Sequence, residues 1–172
     1  MLLNTDNFNK FNSQSFSLTM EKCPAVSDMV QSISVPGLTM GEANSDTPFS
    51  TRKEPGDKII YSVMSITVLL DEELKAWKEV FDWINGLGFP ESYQQYRKFA
   101  ASAKMLTTTE SFSDAILSLY NNQQKAFARL HFNDLFPIAL GDIPLSTVES
   151  SDDFPVVTMD FQYRSYGVEL IT

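Results

Sequence analysis

The chain has 172 residues, 43% hydrophobic and 12% aromatic, enough for one domain with a real core and short for two. Its formal charge of -9 argues against DNA or RNA as a tightly held ligand, because gripping phosphates takes Lys and Arg. DNA repelled and allowed to pass is not excluded. Cys23 is the lone cysteine, which rules out an intramolecular disulfide and a thiolate metal cluster.

Residues 1–14 are rich in Asn and Ser and read as a loose arm; "MLLNTDNFNK" turns polar too soon for a signal peptide. No run approaches a membrane span, so the reading is a soluble protein of a reducing compartment. "FSLTME" alternates, with Phe16, Leu18 and Met20 against Ser17, Thr19 and Glu21. "MVQSISVPG" is a second short strand closed by Pro36 and Gly37. Leu38 to Asp57 is turn-rich, with Gly41, Asn44, Asp46, Pro48, Pro55 and Gly56. It reads as an irregular loop, longer than the ~12–15 residues that a compact domain usually keeps without a function.

"KIIYSVMSITVLL" is the longest strand candidate. Ile60, Met64, Ile66, Val68 and Leu70 share one face, and the other is also moderately apolar, as in a central strand covered on both sides. Asp71 stands where a helix N-cap belongs, with Glu72 and Glu73 in the first turn. The predicted helix, about 71–85, carries Leu74, Trp77, Val80, Phe81 and Ile84 on one stripe and stops at Gly86 and Gly88. Trp83 lies roughly 130° from the centre of that stripe at 100° per residue, so Trp77 reads as core, while Trp83 either flanks the core or, in the sharper reading, anchors a subunit interface.

A polar connection over 89–112, with a short helix near Tyr93–Phe99, leads back to β structure. "DAILSLY", the turn "NNQQK" and "AFARLHF" form a hairpin; Ala126, Ala128, Leu130 and Phe132 oppose Phe127, Arg129 and His131. "LFPIALGDIPL" is a broken or edge strand, where prolines are tolerated. "VVTMDFQYR" sets Val157, Met159, Phe161 and Tyr163 against Thr158, Asp160, Gln162 and Arg164; the apolar parity then switches after Ser165, which predicts a bend.

No constellation supports an enzyme. His131 is the only histidine, mid-strand, with no Gly-x-Ser-x-Gly elbow in the chain, and reads as structural. Cys23, before Pro24 in a turn, reads as a small buried hydrophobe. Asp152–Asp153 and Asp71–Glu73 lack the ligand spacing of a calcium loop, and no glycine cluster cradles a phosphate. No cofactor or metal is expected.

The order of parts carries more than any motif. Pro55-Gly56-Asp57, the strand running into Asp71-Glu72-Glu73-Leu74, the Trp77/Trp83 helix, the strand begun by Asp114, Phe132 with "DLFPIAL", and the closing "FQYRSYGVEL" follow one another from about Phe16 onward. In this order the chain resembles the tail tube proteins of contractile-tailed bacteriophages. Their tube fold is shared with the tube proteins of type VI secretion.

The resemblance implies a mainly β, α+β fold: a single antiparallel β-sandwich or barrel-like domain with one flanking helix. It also implies sheets joined between six subunits into a ring, and rings stacked as a conduit for DNA. The implied role is a virion structural protein, assembled in the host cytoplasm. Its implied partners are itself, the tail sheath, the baseplate and the tape-measure protein. Subunit contacts are expected from Trp83 and, on the 38–57 loop, Thr39, Asp46, Phe49 and Arg52. The lumen is expected to be lined by Thr158, Asp160, Gln162 and Arg164, with Ser17, Thr19 and Glu21 as a second polar set. The major tube subunit is the first reading; a tube initiator or neck and tail-completion protein is the near alternative, and a monomeric β-barrel carrier of small molecules the distant one.

Overall fold

The computed structural model describes residues 13–46, 48–88, 111–146 and 154–171. In chain order the elements are β1 (Phe16–Met20), α1 (Pro24–Met29), β2 (Val30–Ile33), β3 (Leu38–Asp46), β4 (Thr51–Tyr61), β5 (Met64–Leu69) and α2 (Lys75–Gly88). β6 (Ser113–Tyr120), β7 (Ala126–Leu140), β8 (Val156–Gln162) and β9 (Ser165–Leu170) follow. The fold is mainly β and antiparallel, as expected.

Seven strands make one sheet in the order β1-β6-β7-β8-β5-β2, with β9 also on β7. β1 and β2 end the path without pairing to each other, so the sheet is not a closed barrel. Alternation makes each strand two-faced. Leu18 and Met20, Met64, Ile66 and Val68, Ala115 and Leu117, Leu130 and Phe132, and Val157, Met159 and Phe161 all enter one core. Among the described residues two helices close that core. The unexpected α1 starts with Pro24 in its first turn, where a missing N–H costs nothing, and buries Val26.

β7 does most to shape the subunit. Over Ala126–Leu135 one edge pairs with β6; the other pairs first with β9 and then, beyond Phe136, with β8. β8 and β9 therefore run as one interrupted strand along β7, and both bend at the same level. Asp134 takes the left-handed conformation (φ 54°) that Asp tolerates better than most residues. Its N–H donates to Asp114 Oδ1 (3.1 Å) and its carboxylate lies 3.3 Å from Arg164 Nη1. Arg164 N–H donates to Asn133 O (3.0 Å), closing the bend. The parity switch near Ser165 is this bend. "DLFPIAL" has the expected edge character: past Leu135, β7 pairs among the described residues with β8 alone, so Pro137 sits where one side of the strand is unpaired, and a bulge between Pro137 and Ala139 interrupts the ladder.

The expected Leu38–Asp57 loop is instead a β-ribbon. β3 and β4 pair from Leu38↔Tyr61 to Asp46↔Thr51. The glycines and prolines that suggest turns sit where a two-stranded ribbon accepts them. The ladder breaks register opposite Gly41, which faces Gly56, Asp57 and Lys58 of β4, and a Cβ on Gly56 would come within 2.4 Å of Gly41 O. The long strand candidate is split at Ser62 and Val63: Ile60 belongs to the ribbon and is exposed, while β5 enters the main sheet between β8 and β2. β5 is central as expected, but its second face is only half-covered.

The helix also departs from expectation. It begins at Lys75, after a turn in which Leu74 takes φ 52°, so Glu72 and Glu73 precede it. Asp71 still caps it, Oδ1 accepting from Lys75 N–H (2.9 Å). The buried stripe is Ala76, Val80, Trp83 and Gly86, and Gly88 alone marks the end. Ala76 and Gly86 look weak as core residues, yet small side chains suit the inner face of a helix that also packs against α1. Trp83 is thus 3% exposed, with Nε1 donating to Ser111 O (3.2 Å), its ring near Phe161 and Lys22 Nζ over its face. Its expected interface role is corrected: the side chain is spent on its own subunit. Trp77 is half-buried and stacks on Phe81, which is 40% exposed.

Trp83→Ala should therefore cost about 3–5 kcal/mol, as aromatic truncations in cores do, and Trp77→Ala about half that or less. Urea denaturation of the two variants checks the order; equal losses, or a larger loss at Trp77, would contradict this packing.

Candidate assembly surfaces

The residues able to do chemistry do not converge. His131 Nε2 lies 3.3 Å from Glu169 Oε2 across the β7–β9 pair. Asp71–Glu73 serve the entry to α2, and Asp152–Asp153 lie outside the described residues. Among the described residues no group of three His, Cys, Asp or Glu side chains is placed to hold a metal. Cys23 is buried, and burial, reinforced by the nearby Glu79 carboxylate, pushes its thiol up to about 12. Glu79 itself accepts Ala25 N–H (3.1 Å) at the start of α1, tying the two helices together; burial raises its carboxyl despite that bond.

A thiol held protonated in the fold but ionising near 9 when unfolded stabilises the native state below pH 9, and that contribution is lost as pH rises towards 12. Native protein should accordingly resist a thiolate-directed reagent at pH 8, with modification reaching one equivalent only in denaturant. Rapid labelling of the native protein would contradict the burial of Cys23.

The ribbon is the most exposed structure in the subunit. Thr39, Asp46, Phe49 and Arg52 all lie on it, and all are exposed. Phe49, at the tip, is 98% exposed. Towards the tip the strands are laced by Lys53 Nζ–Glu42 Oε1 (2.9 Å) and Thr51 Oγ1–Asp46 Oδ1 (2.9 Å). Towards the base Leu38, Met40, Ile59 and Ile60 remain exposed. A two-stranded ribbon with both faces wet is marginal in water. Leu38, Met40 and Ile59 share one face of that base and Ile60 lies on the other; an exposed apolar cluster such as the first three marks an interaction surface.

The ribbon's root, by contrast, is held firmly. Ser62 N–H donates to Gly37 O (3.1 Å), Tyr163 Oη to Ser62 O (2.9 Å) and Tyr166 Oη to Pro36 O (3.1 Å). Tyr61, Tyr163 and Tyr166 meet edge to face, with centroids 5.7–5.9 Å apart. Burial, and then the neighbouring tyrosines, push the Tyr163 phenol up to about 12. Replacing Tyr163 and Tyr166 by Phe should cost about 0.5–1.5 kcal/mol each and speed amide exchange at Ser62, whose N–H donates to Gly37 O. Exchange unchanged in the double variant would show that the hydroxyls do not hold the root.

The expected lumen residues are only partly gathered. Thr158 and Asp160 share the outer face of the β5–β8 pair with Thr67 and Ser65, and Ser65 Oγ donates to Asp160 Oδ1 (2.6 Å). Gln162 continues that face, half-buried. Arg164 does not: it follows the bend and is engaged with Asp134. Ser17 and Thr19 lie on β1, at the far end of the sheet path, and Glu21 is just beyond that strand.

A surface not anticipated from sequence lies between α2 and the end of β7. Trp77, Phe81, Ile84 and Asn85 form one wall, and residues from Ile138 to Ile143 the other, around about 550 Å³. Gly141 brings the second wall close to β8, where its N–H donates to Thr158 O (2.8 Å) and a Cβ would meet that oxygen at 2.6 Å. Among the described residues Trp77 Nε1 is shielded and has no acceptor, unlike Trp83 Nε1. The signal was the wide apolar stripe of the helix, which assigns more large side chains to the core than one face can bury.

Comparison with known proteins agrees with this architecture. Residues 4–169 match the family model described as phage tail tube protein. The chain is 23% identical over 174 residues to the tail tube terminator protein of Enterobacteria phage T4, covering 94% of this chain and 90% of that one. Among solved structures it is similar to a chain of the sheath–tube complex of the extracellular contractile injection system PVC in its extended state. That match has a TM-score of 0.66 at 15% identity, over 97% and 96% of the two chains. It is likewise similar to a chain of the tube-terminating cap of the anti-feeding prophage AFP, with a TM-score of 0.64 at 13% identity, over 99% and 100%. The chain belongs to the phage tail tube protein family.

Proposed function

We propose that this protein is a non-enzymatic structural component of a contractile tail or related injection system, and that six copies close into a ring coaxial with the tail tube. The ring is read as terminal, a tube-ending or tail-completion ring. The observation that carries this is likeness along nearly the whole of both chains to a protein named as a tail tube terminator. Ring closure suits a subunit whose sheet keeps open edges at β1, β2 and β9, since neighbours can cover them. The ribbon serves as the arm that reaches a neighbouring subunit, with Thr39, Asp46, Phe49 and Arg52 on its contact surface. Thr158, Asp160 and Gln162 face the lumen, giving it a neutral or negative wall that lets DNA pass without holding it. Sheath, baseplate and tape-measure proteins are its further partners, and the virion tail its location.

A second reading, the repeating subunit of the tube itself, is favoured by the fold shared with a chain of a sheath–tube complex. The distant carrier reading fits poorly, because the sheet is open and its interior is filled by side chains. Copy number separates the first two. Quantitative mass spectrometry of purified particles should find this chain at one ring per tail; dozens of copies or more would make it the tube's repeating subunit instead. Removing Glu42–Glu54, the outer half of the ribbon, should leave a folded subunit that no longer joins tails.

A further inference from the structure

The reading above leaves open what the ribbon tip touches. Phe49 offers an exposed aromatic ring at the end of β3–β4. Arg52 lies three residues on, bound only loosely to Glu54 at 3.8 Å, with both side chains largely in solvent. The groove between α2 and the end of β7 has the matching chemistry. Its walls are the Trp77–Phe81 stack, with centroids 4.9 Å apart, and Ile138, which is 48% exposed. Asp142 stands on its lining, exposed and without an ion-pair partner among the described residues.

We propose that the groove receives the ribbon tip of a second copy of this chain: Phe49 of one subunit seats between Phe81 and Ile138 of the next, and Arg52 meets Asp142. Charge and shape argue for a second copy. The tip carries an aromatic knob with a cation, and the groove an aromatic and aliphatic hole with an anion. β4 alone, at ~3.3 Å per residue, extends roughly 36 Å, enough to reach past its own subunit. Knob and hole lie on different surfaces, so the contact is heterologous and propagates from copy to copy until it closes. It supplies the interface anchor that Trp83 cannot, since Phe and Arg in a desolvated pocket are typical hot spots.

This inference rests on the ring reading, and the test separates the two. Self-association of the purified full-length chain would be followed by sedimentation and native mass spectrometry. Arg52→Glu and Asp142→Arg should each weaken association, and the double reversal should restore it. Phe49→Ala should weaken association about thirtyfold or more with the melting temperature unchanged. Phe49→Cys combined with Ile138→Cys should give disulfide-linked oligomers under mild oxidation, while buried Cys23 stays unlinked. Rings that are indifferent to Arg52→Glu, Asp142→Arg and Phe49→Ala, or single reversals that the double does not rescue, would overturn this contact and leave the ring reading standing. A wild-type chain that remains monomeric at every concentration would overturn both.

Discussion

The subunit depends on one bend. At Asp134 the longest strand turns through a left-handed residue, and at Arg164 the strand beside it turns to match. A non-glycine residue in that conformation costs on the order of 1 kcal/mol, less for Asp than for most residues. Asp114 Oδ1, Arg164 and the Asn133 carbonyl repay it locally. The ion pair itself is solvated and worth little; the backbone hydrogen bonds hold the bend. Because β7 bends without ending, β1-β6 and β8-β5-β2 face a common core, and one layer of side chains from each half fills it together with Val26, Val80 and Trp83.

The bend also explains where the ribbon leaves. β2 and β5 pair through Ile33↔Ile66, and their chains run on past Ser34 and Gly37 into β3 and β4. This is one long hairpin whose lower part is sheet and whose upper part stands free. Tyr163 and Tyr166 flank Arg164, so the residues that shape the bend also anchor the root of the ribbon. Core, bend and arm are coupled, and a change in the tyrosine cluster is a change in where the ribbon points.

Much of this was legible in the sequence. Period-two alternation over Phe16–Met20, Asp114–Phe132 and Val157–Tyr163 marks strands and their buried faces, because such strands pack on one side only. Asp71 is a capping residue whether the helix starts at once or after a turn. What stayed hidden depended on tertiary partners. Gly41, Pro55 and Gly56 suggest an irregular loop unless the strand opposite them is known. Pro137 does mark an edge, since β7 beyond Leu135 pairs among the described residues with β8 alone. The helix face was misjudged because hydrophobicity favours Leu74, Trp77 and Phe81, whereas the face that is buried also carries the small Ala76 and Gly86. Thr39, Asp46, Phe49 and Arg52 do lie together on one exposed ribbon, whereas the helix rotation turns Trp83 into the core. Thr158 and Asp160 followed from alternation, while Arg164 was claimed by the bend.

The central claim is that the ribbon is an assembly arm, ordered by a neighbour and not by its own subunit. Amide hydrogen exchange across β3 and β4, compared between the isolated chain and intact tail particles, tests it most directly. The account predicts fast exchange from Met40 to Arg52 in the isolated chain and strong protection in the particle, with β5 and β8 slow in both. Strong protection of the ribbon in the isolated chain, or none in the particle, would contradict it.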